Sequence, residues 1–196
     1  MKRYFFLILI FTSFLSGCAH QTLTPVIHDT QAYQQQLIQL HHWQLEGKIG
    51  VRHANKSDSA ALQWKQNDDH FDIFLSGPLG AGATRLSGTP KQLIIQNSSE
   101  EKTSTSDPEQ LIEKHLGWTL PLEKLPQWIL GYSDNRNAHS NNEKFNVDHT
   151  LASFEENGWQ VDYISYQTID QWLLPEKIVL KHEDMQVTIV IKQWAL

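Results

Sequence analysis

Cysteine is almost absent from this chain of 196 residues. Cys18 is the only one, so no disulfide within the chain can staple the fold and no Cys/His zinc pattern can be built. Basic clusters are missing too. The 16 Lys and Arg residues are scattered among 22 Asp and Glu, leaving a net charge of -6. Without a basic-aromatic stripe nothing is arranged to hold a nucleic acid by its phosphates. Seven prolines and ten glycines are too few for a collagenous or low-complexity chain. Only one long apolar run exists, which excludes a bundle of membrane-spanning helices. What the chain does have is 40% apolar and 10% aromatic residues, enough for the core of one ordinary domain.

The single apolar run lies at the N-terminus and reads as an address. Lys2 and Arg3 form a positive start, and Tyr4 to Leu15 is apolar except for Thr12 and Ser13, too short to span a bilayer comfortably. Leu15-Ser16-Gly17-Cys18 then resembles the lipobox of bacterial lipoproteins, in which small residues admit the peptidase and the thiol takes a diacylglycerol. Residues 1–17 are therefore expected to be a signal peptide and Cys18 the lipid attachment site. Loss of Lys2 and Arg3 moves the net charge from -6 to -8. Three hydrocarbon tails at about 0.8 kcal/mol per buried CH2 make such an anchor stable. Ala19, where an inner-membrane lipoprotein of this kind has Asp, implies the periplasmic face of the outer membrane.

Residues 18–29 are expected to be a polar tether and 30–196 a single domain. Asp29 or Thr30 can cap a helix through about His42, with Tyr33, Leu37 and Leu40 on one face. From Trp43 the period becomes two: Trp43, Leu45, Ile49 and Val51 alternate with charged residues, followed by Leu62 and Trp64, then Phe71, Ile73 and Leu75. Thr84 to Ser87 and Leu93 to Gln96 continue the meander across a turn at Gly88-Thr89-Pro90. Asp107-Pro108-Glu109-Gln110 is a helix start with Gly117 as its stop. Pro121 to Leu130 presents Leu122, Leu125, Trp128 and Ile129 on one helical face, with Pro126 expected to kink or divide it. Tyr132 to Glu143 reads as an exposed polar loop. Strand patterns resume at Phe145 to Val147, Leu151 to Phe154, Trp159 to Tyr163 and Ile178 to Leu180 after Leu174-Pro175, and at Met185 to Ile191 after a Glu183-Asp184 turn.

Enzymatic signals do not assemble. The ten histidines match no metal-ligand spacing, and no G-x-S-x-G nucleophile turn occurs. Gly77 and Gly82 stand at the spacing of a phosphate loop, but Ala83 replaces its lysine and a strand pattern follows, so nucleotide binding is not expected. No catalytic residue, metal or cofactor is assigned. On residue types alone Gly77-Pro78-Leu79-Gly80 is a plain turn between strands, with Leu79 as either a buried aliphatic or a contact for a membrane or partner.

Three stretches in this order carry a resemblance: the Leu15 to Cys18 lipobox, Phe71-Asp72-Ile73-Phe74-Leu75-Ser76-Gly77-Pro78-Leu79-Gly80, and Leu120-Pro121-Leu122-Glu123-Lys124-Leu125-Pro126-Gln127-Trp128-Ile129-Leu130-Gly131. Together with Trp43 to Val51 they are similar to the LolB family. The resemblance runs from about Gln34 through nearly all the mature chain. It implies a mainly β (α+β) fold: a strongly curved, open antiparallel sheet, or half-barrel, with helices covering its concave apolar face. It also implies a receptor that accepts lipoproteins from a LolA-type periplasmic carrier and inserts them into the outer membrane without ATP. The partners would be that carrier, the acyl chains of client lipoproteins and outer-membrane lipid, with the receptor a monomer. Candidate walls of an acyl-chain cavity are Trp43, Ile49, Leu62, Trp64, Phe71, Ile73, Leu111, Leu125, Trp128 and Ile129. Gly77, Pro78, Leu79 and Gly80 match the family's membrane-insertion loop, Leu79 being its leucine. Periodicity alone does not separate such a cavity from a filled core, so a lipid-anchored envelope enzyme or scaffold with an ordinary core stands as the alternative.

Overall fold

A computed structural model describes residues 25–54, 56–80, 82–99, 102–117, 120–133 and 140–196. Its strands are β1 (His42–His53), β2 (Lys56–Asn67), β3 (His70–Ser76), β4 (Thr84–Thr89), β5 (Gln92–Asn97), β6 (Lys102–Thr105), β7 (Ser140–Phe145), β8 (Leu151–Glu156), β9 (Trp159–Ile169), β10 (Trp172–His182) and β11 (Met185–Ala195). Among the described residues three helices accompany them: α1 (Thr30–Leu37), α2 (Pro108–Leu116) and α3 (Leu125–Leu130).

All the strands join one antiparallel sheet in the order β6-β5-β4-β3-β2-β1-β11-β10-β9-β8-β7. Two meanders, β1 to β6 and β7 to β11, thus meet along the seam between β1 and β11, and β6 and β7 are left as free edges. The sheet is open. Period-two alternation sends Trp43, Leu45, Ile49 and Val51 of β1 inward with Met185, Val187, Ile189 and Ile191 of β11, all at most 6% exposed. Each such side chain contributes about 1.5 to 3 kcal/mol by leaving water. Residues from both halves of the sheet share one core with the helices, as a strongly curved sheet requires. The seam depends on Gly47. The register shifts between Glu46 and Gly47, and a Cβ at Gly47 would lie 2.1 Å from the Val190 carbonyl oxygen.

The helix expected to run to His42 stops at Leu37. Asp29 caps its start, accepting from the Gln31 and Ala32 amides at 2.8 and 3.1 Å. Beyond its end the chain is captured by the β2–β3 turn, where the Asp68 amide donates to the His41 carbonyl at 2.9 Å, and strand pairing begins at His42. The Tyr33 hydroxyl donates to the Leu173 carbonyl at 2.9 Å and accepts from the Leu173 amide at 2.8 Å. Thr30 reaches the His149 carbonyl. These contacts lay α1 across the end of the sheet where β1 and β10 begin. Ile27, expected in the polar tether, is buried with it.

Several boundaries differ from the sequence reading for identifiable reasons. β4 runs on through Gly88 and Thr89, leaving the turn to Pro90 and Lys91. The segment from Pro121 to Leu130 is divided, as expected: residues 121–124 form a separate turn, and α3 starts at Leu125 with Pro126 in its first turn, where a missing N–H is harmless. β10 passes straight through Pro175, with the ladder irregular beside it because proline has no amide to give. β6 and most of β7 occupy polar segments where no strand was expected, and the expected strand at Phe145 to Val147 ends at Phe145.

Candidate functional site

The concave face of the sheet and the two helices after β6 enclose the apolar heart of the molecule. Asp107 caps α2, accepting from the Gln110 amide at 3.3 Å, and Gly117 ends it in the left-handed conformation at φ 77°. This leaves Leu111 and Ile112 facing the sheet, 7% and 1% exposed. α3 turns Leu125, Trp128, Ile129 and Leu130 inward.

The two helices are fastened differently. The Trp128 indole donates to Glu156 at 3.0 Å, Lys124 pairs with the same carboxylate at 3.2 Å, and the Tyr163 hydroxyl donates to the Trp128 carbonyl at 2.8 Å. Trp128 also packs against Phe154 and Trp159, at ring separations of 5.9 and 6.0 Å. α3 is thereby pinned to β8 and β9. Among the described residues α2 has no hydrogen bond or ion pair to the sheet; its ties are its own cap and a contact of His115 Nδ1 with the Leu111 carbonyl at 3.0 Å. Burial of Leu111 and Ile112 contributes about 1.5 to 3 kcal/mol each to its hold on the sheet.

Beneath the helices lies a small apolar compartment. Ile49, Leu62, Trp64, Ile73 and Leu125 line it, as do Leu75, Leu86, Ile112, Leu120, Leu122 and Ile189, which the sequence reading did not name as cavity walls. Leu75, Leu86 and Ile189 carry the same inward phase as their strand neighbours and were findable by it, whereas Leu120 lies outside any strand or helix. Trp43, Phe71, Leu111, Trp128 and Ile129 are equally buried in this core but do not border the compartment; Trp43 instead packs on Trp64 and Trp194 at 5.2 and 5.6 Å. The unfilled volume is about 30 Å3, far below the ~300 to 1,000 Å3 of a site that buries a small molecule. In this conformation the side chains nearly fill the space.

A larger hollow, about 330 Å3, opens to solvent beside it. Ile49 and Leu75 border both spaces, while Asp58, Ser59, Thr84 and His115 give this outer vestibule a polar rim. Gly77 and Gly82 also line it, so the loop after β3 stands at its mouth. Within that loop Pro78–Gly80 makes one turn of 3-10 helix, closed by the Gly80 amide on the Gly77 carbonyl at 3.0 Å. Gly80 and Gly82 hold φ values of +80° and +63°, and a Cβ at either would meet nothing within 4 Å. At Gly80 and Gly82 the loop therefore borders open space. The side chain of Leu79, like the whole of Cys18, lies outside the described residues.

Burial raises the hydroxyl pKa of three tyrosines around the core. Tyr33 is pushed up to about 12, while Tyr163 and Tyr166 lie well above the usual tyrosine value, burial again being the largest cause. No group of three or more His, Cys, Asp or Glu among the described residues is placed to hold a metal ion.

An open, curved antiparallel sheet with short apolar helices on its hollow side is a half-barrel. The fold is similar to that of a LolA-superfamily protein from Nitrosomonas europaea, with a TM-score of 0.54 at 9% identity over 87% of this chain and 94% of that one. It is also similar to a DUF1329-family protein from Desulfovibrio piger, with a TM-score of 0.52 at 7% identity over 88% and 93%. In sequence the likeness is more particular. The family described as outer membrane lipoprotein LolB matches residues 41–194. The outer-membrane lipoprotein LolB of Pseudomonas syringae pv. syringae is 38% identical over 186 residues, covering 92% of this chain and 90% of its own. That of Stutzerimonas stutzeri is 42% identical over 154 residues, covering 78% and 73%. This chain belongs to the LolB family.

Proposed function

We propose that the chain is the outer-membrane receptor that accepts lipoproteins from a LolA-type periplasmic carrier and inserts them into the outer membrane, acting as a trafficking factor rather than an enzyme. Residues 1–17 are the signal peptide, and Cys18 carries the lipid that anchors the mature chain. Residues 18–29 lead to the domain, with Ile27 already docked on it. The acyl chains of a client occupy the compartment under α2 and α3, and the loop carrying Leu79 meets the bilayer.

The observation that carries this reading is the all-apolar lining of the compartment under two helices of unequal hold. Carrying acyl chains through water exposes methylenes at about 0.8 kcal/mol each, tens of kcal/mol for three chains. A receptor must therefore offer an apolar space that opens, and must then give the chains up to a still better apolar phase. Transfer runs down these differences and needs no nucleotide. A space of about 30 Å3 means that loading displaces part of the cover.

The test is transfer. Liposomes bearing the mature chain are given a lipoprotein bound to its carrier, and lipoprotein incorporated into the bilayer is measured. Incorporation that depends on the chain is expected. A chain that takes no lipoprotein and binds no fluorescent acyl probe would return the protein to the alternative of an anchored enzyme or scaffold.

A further inference from the structure

We propose that the outer face of the sheet, where β10, β11 and β1 lie side by side, is a basic docking surface for the anionic phospholipid headgroups of the membrane that holds the chain. This rests on the lipid-anchored, outer-membrane reading above and adds a contact that reading does not use.

The sequence scatters its cations, and the sheet gathers four of them. Lys48 and Arg52 of β1 alternate with the buried Ile49 and Val51, and Lys177 and Lys181 of β10 flank the buried run from Ile178 to Leu180, so all four stand on the face turned away from the core. The register aligns them. Lys48 and Lys177 oppose Val190 of β11 from its two sides, and Arg52 and Lys181 oppose Gln186 in the same way. The four mark a rectangle, four residues long in each strand and two ladder spacings wide, roughly 13 by 10 Å. Its centre holds no charge, since Gly50, Thr188 and Val179 pair across it.

The charge of this face opposes that of the chain, which carries -6 in all. Asp162 of β9 flanks the rectangle and takes Lys181 at 2.9 Å, but among the described residues Lys48, Arg52 and Lys177 have no ion pair. Glu46 and Glu176 stand only toward the end nearer α1, at the level of Lys192. Acids in excess lie off the face: Asp68 and Asp69 in the β2–β3 turn, Glu183 and Asp184 in the β10–β11 turn, and Glu109 and Glu113 on α2.

A bilayer is favoured over a folded acidic partner because the chain that carries the anchor enters the domain close by. α1 is fastened to β10 at Leu173, four residues or about 13 Å before Lys177, and Ile27 is buried with it. Ile27 lies nine residues after Cys18, a reach of at most ~30 Å. An anchor at Cys18 therefore keeps the basic face beside the bilayer at high local concentration. An acyl anchor joined to a basic patch is a two-part attachment, in which each cation near an anionic surface strengthens binding about fivefold. The acidic remainder of the domain is repelled, so the same field selects an orientation. In that pose the concave side faces the periplasm, open to an incoming carrier, and the domain rolls off its basic face before the loop after β3 meets the bilayer.

The chain from Ala19 onward lacks the anchor and keeps every described residue, which makes it the probe for the patch alone. Its sedimentation with vesicles of phosphatidylethanolamine and phosphatidylglycerol should exceed that with neutral phosphatidylcholine vesicles, and high salt should erase the difference. Lys48→Gln, Arg52→Gln and Lys177→Gln together should lower the anionic-vesicle partition by about tenfold or more, and Lys48→Gln alone by about fivefold, with melting unchanged. Lys91→Gln with Lys114→Gln removes the same kind of charge elsewhere and should leave the partition as it was. Equal partition onto anionic and neutral vesicles, or equal partition of the parent and the triple variant, overturns the proposal. If the carrier instead binds the parent and not the triple variant while vesicle binding is unaltered, the face belongs to an acidic protein and the membrane contact falls. The lipoprotein-transfer assay reads the receptor role and the anchorless partition reads this face, so either can fail alone.

Discussion

Tyr33 closes a hydrogen-bonded pair with both backbone groups of Leu173, and burial raises its pKa to about 12. Tyr33→Phe strands a buried amide and a buried carbonyl at once and is expected to cost about 1 to 3 kcal/mol, read as a lowered Tm. The same residue sets an alkaline limit. Its folded-state pKa is raised above the unfolded value near 10, so the folded protein holds this proton more tightly. The associated stability is intact below about pH 10 and drains away as pH rises toward 12, with Tyr163 and Tyr166 pulling in the same direction. Thermal melts between pH 8 and 11.5 should show this fall, less steeply in Tyr33→Phe. Leu79 makes a different prediction, because Gly80 and Gly82 beside it border open space. Leu79→Glu should leave folding and client acceptance unchanged while insertion into liposomes fails. A leucine in the interface gains only about 1.5 to 3 kcal/mol, enough to aim the vestibule at the bilayer and too little to anchor the protein. Equal loss of stability and acceptance in Leu79→Glu would place the side chain in the core instead.

At the level of elements, the seam between β1 and β11 is where the two meanders become one sheet, and Gly47 allows it. Gly47→Ala drives a methyl group to 2.1 Å from the Val190 carbonyl and should cost about 1 to 3 kcal/mol or more, with loss of amide protection concentrated in β1 and β11. A small change in Tm with full protection there would show that the seam tolerates a side chain. The elements legible in the sequence were those with a buried face. β1, β3 and β11 alternate cleanly because one side is core, and α2 declared both ends through Asp107, Pro108 and Gly117. The two edge strands were missed for a matching reason. β6 is Lys-Thr-Ser-Thr, and β7 is polar until Phe145, so neither has an apolar face to betray its period. Such composition protects an open edge from pairing with another chain. The inward phase of the candidate wall residues was also readable. Which of them border the compartment was not, because that depends on how the sheet curves and where α2 and α3 come to rest.

On the reading proposed here the whole molecule separates attachment, expected at Cys18, from binding. The described core starts at Ile27, nine residues after Cys18, and the described residues lining the compartment begin at Ile49. Cys18→Ala is accordingly expected to give a soluble periplasmic protein that still binds lipoprotein. Intact mass of the natural protein should show cleavage before Cys18 and three acyl chains, and an unmodified thiol there would end the anchoring argument. The open sheet has a mechanical consequence as well. In a closed barrel, strand number and stagger fix the circumference, and widening it means breaking a ladder. Among the described residues no ladder joins β6 to β7. The girth of the half-barrel can therefore grow or shrink by a change of curvature shared among its ten strand pairings, each flexing slightly and none giving up a backbone bond. Such a shell grips like a spring clip: its volume follows its load, and the strain of being filled is returned when the load slides out.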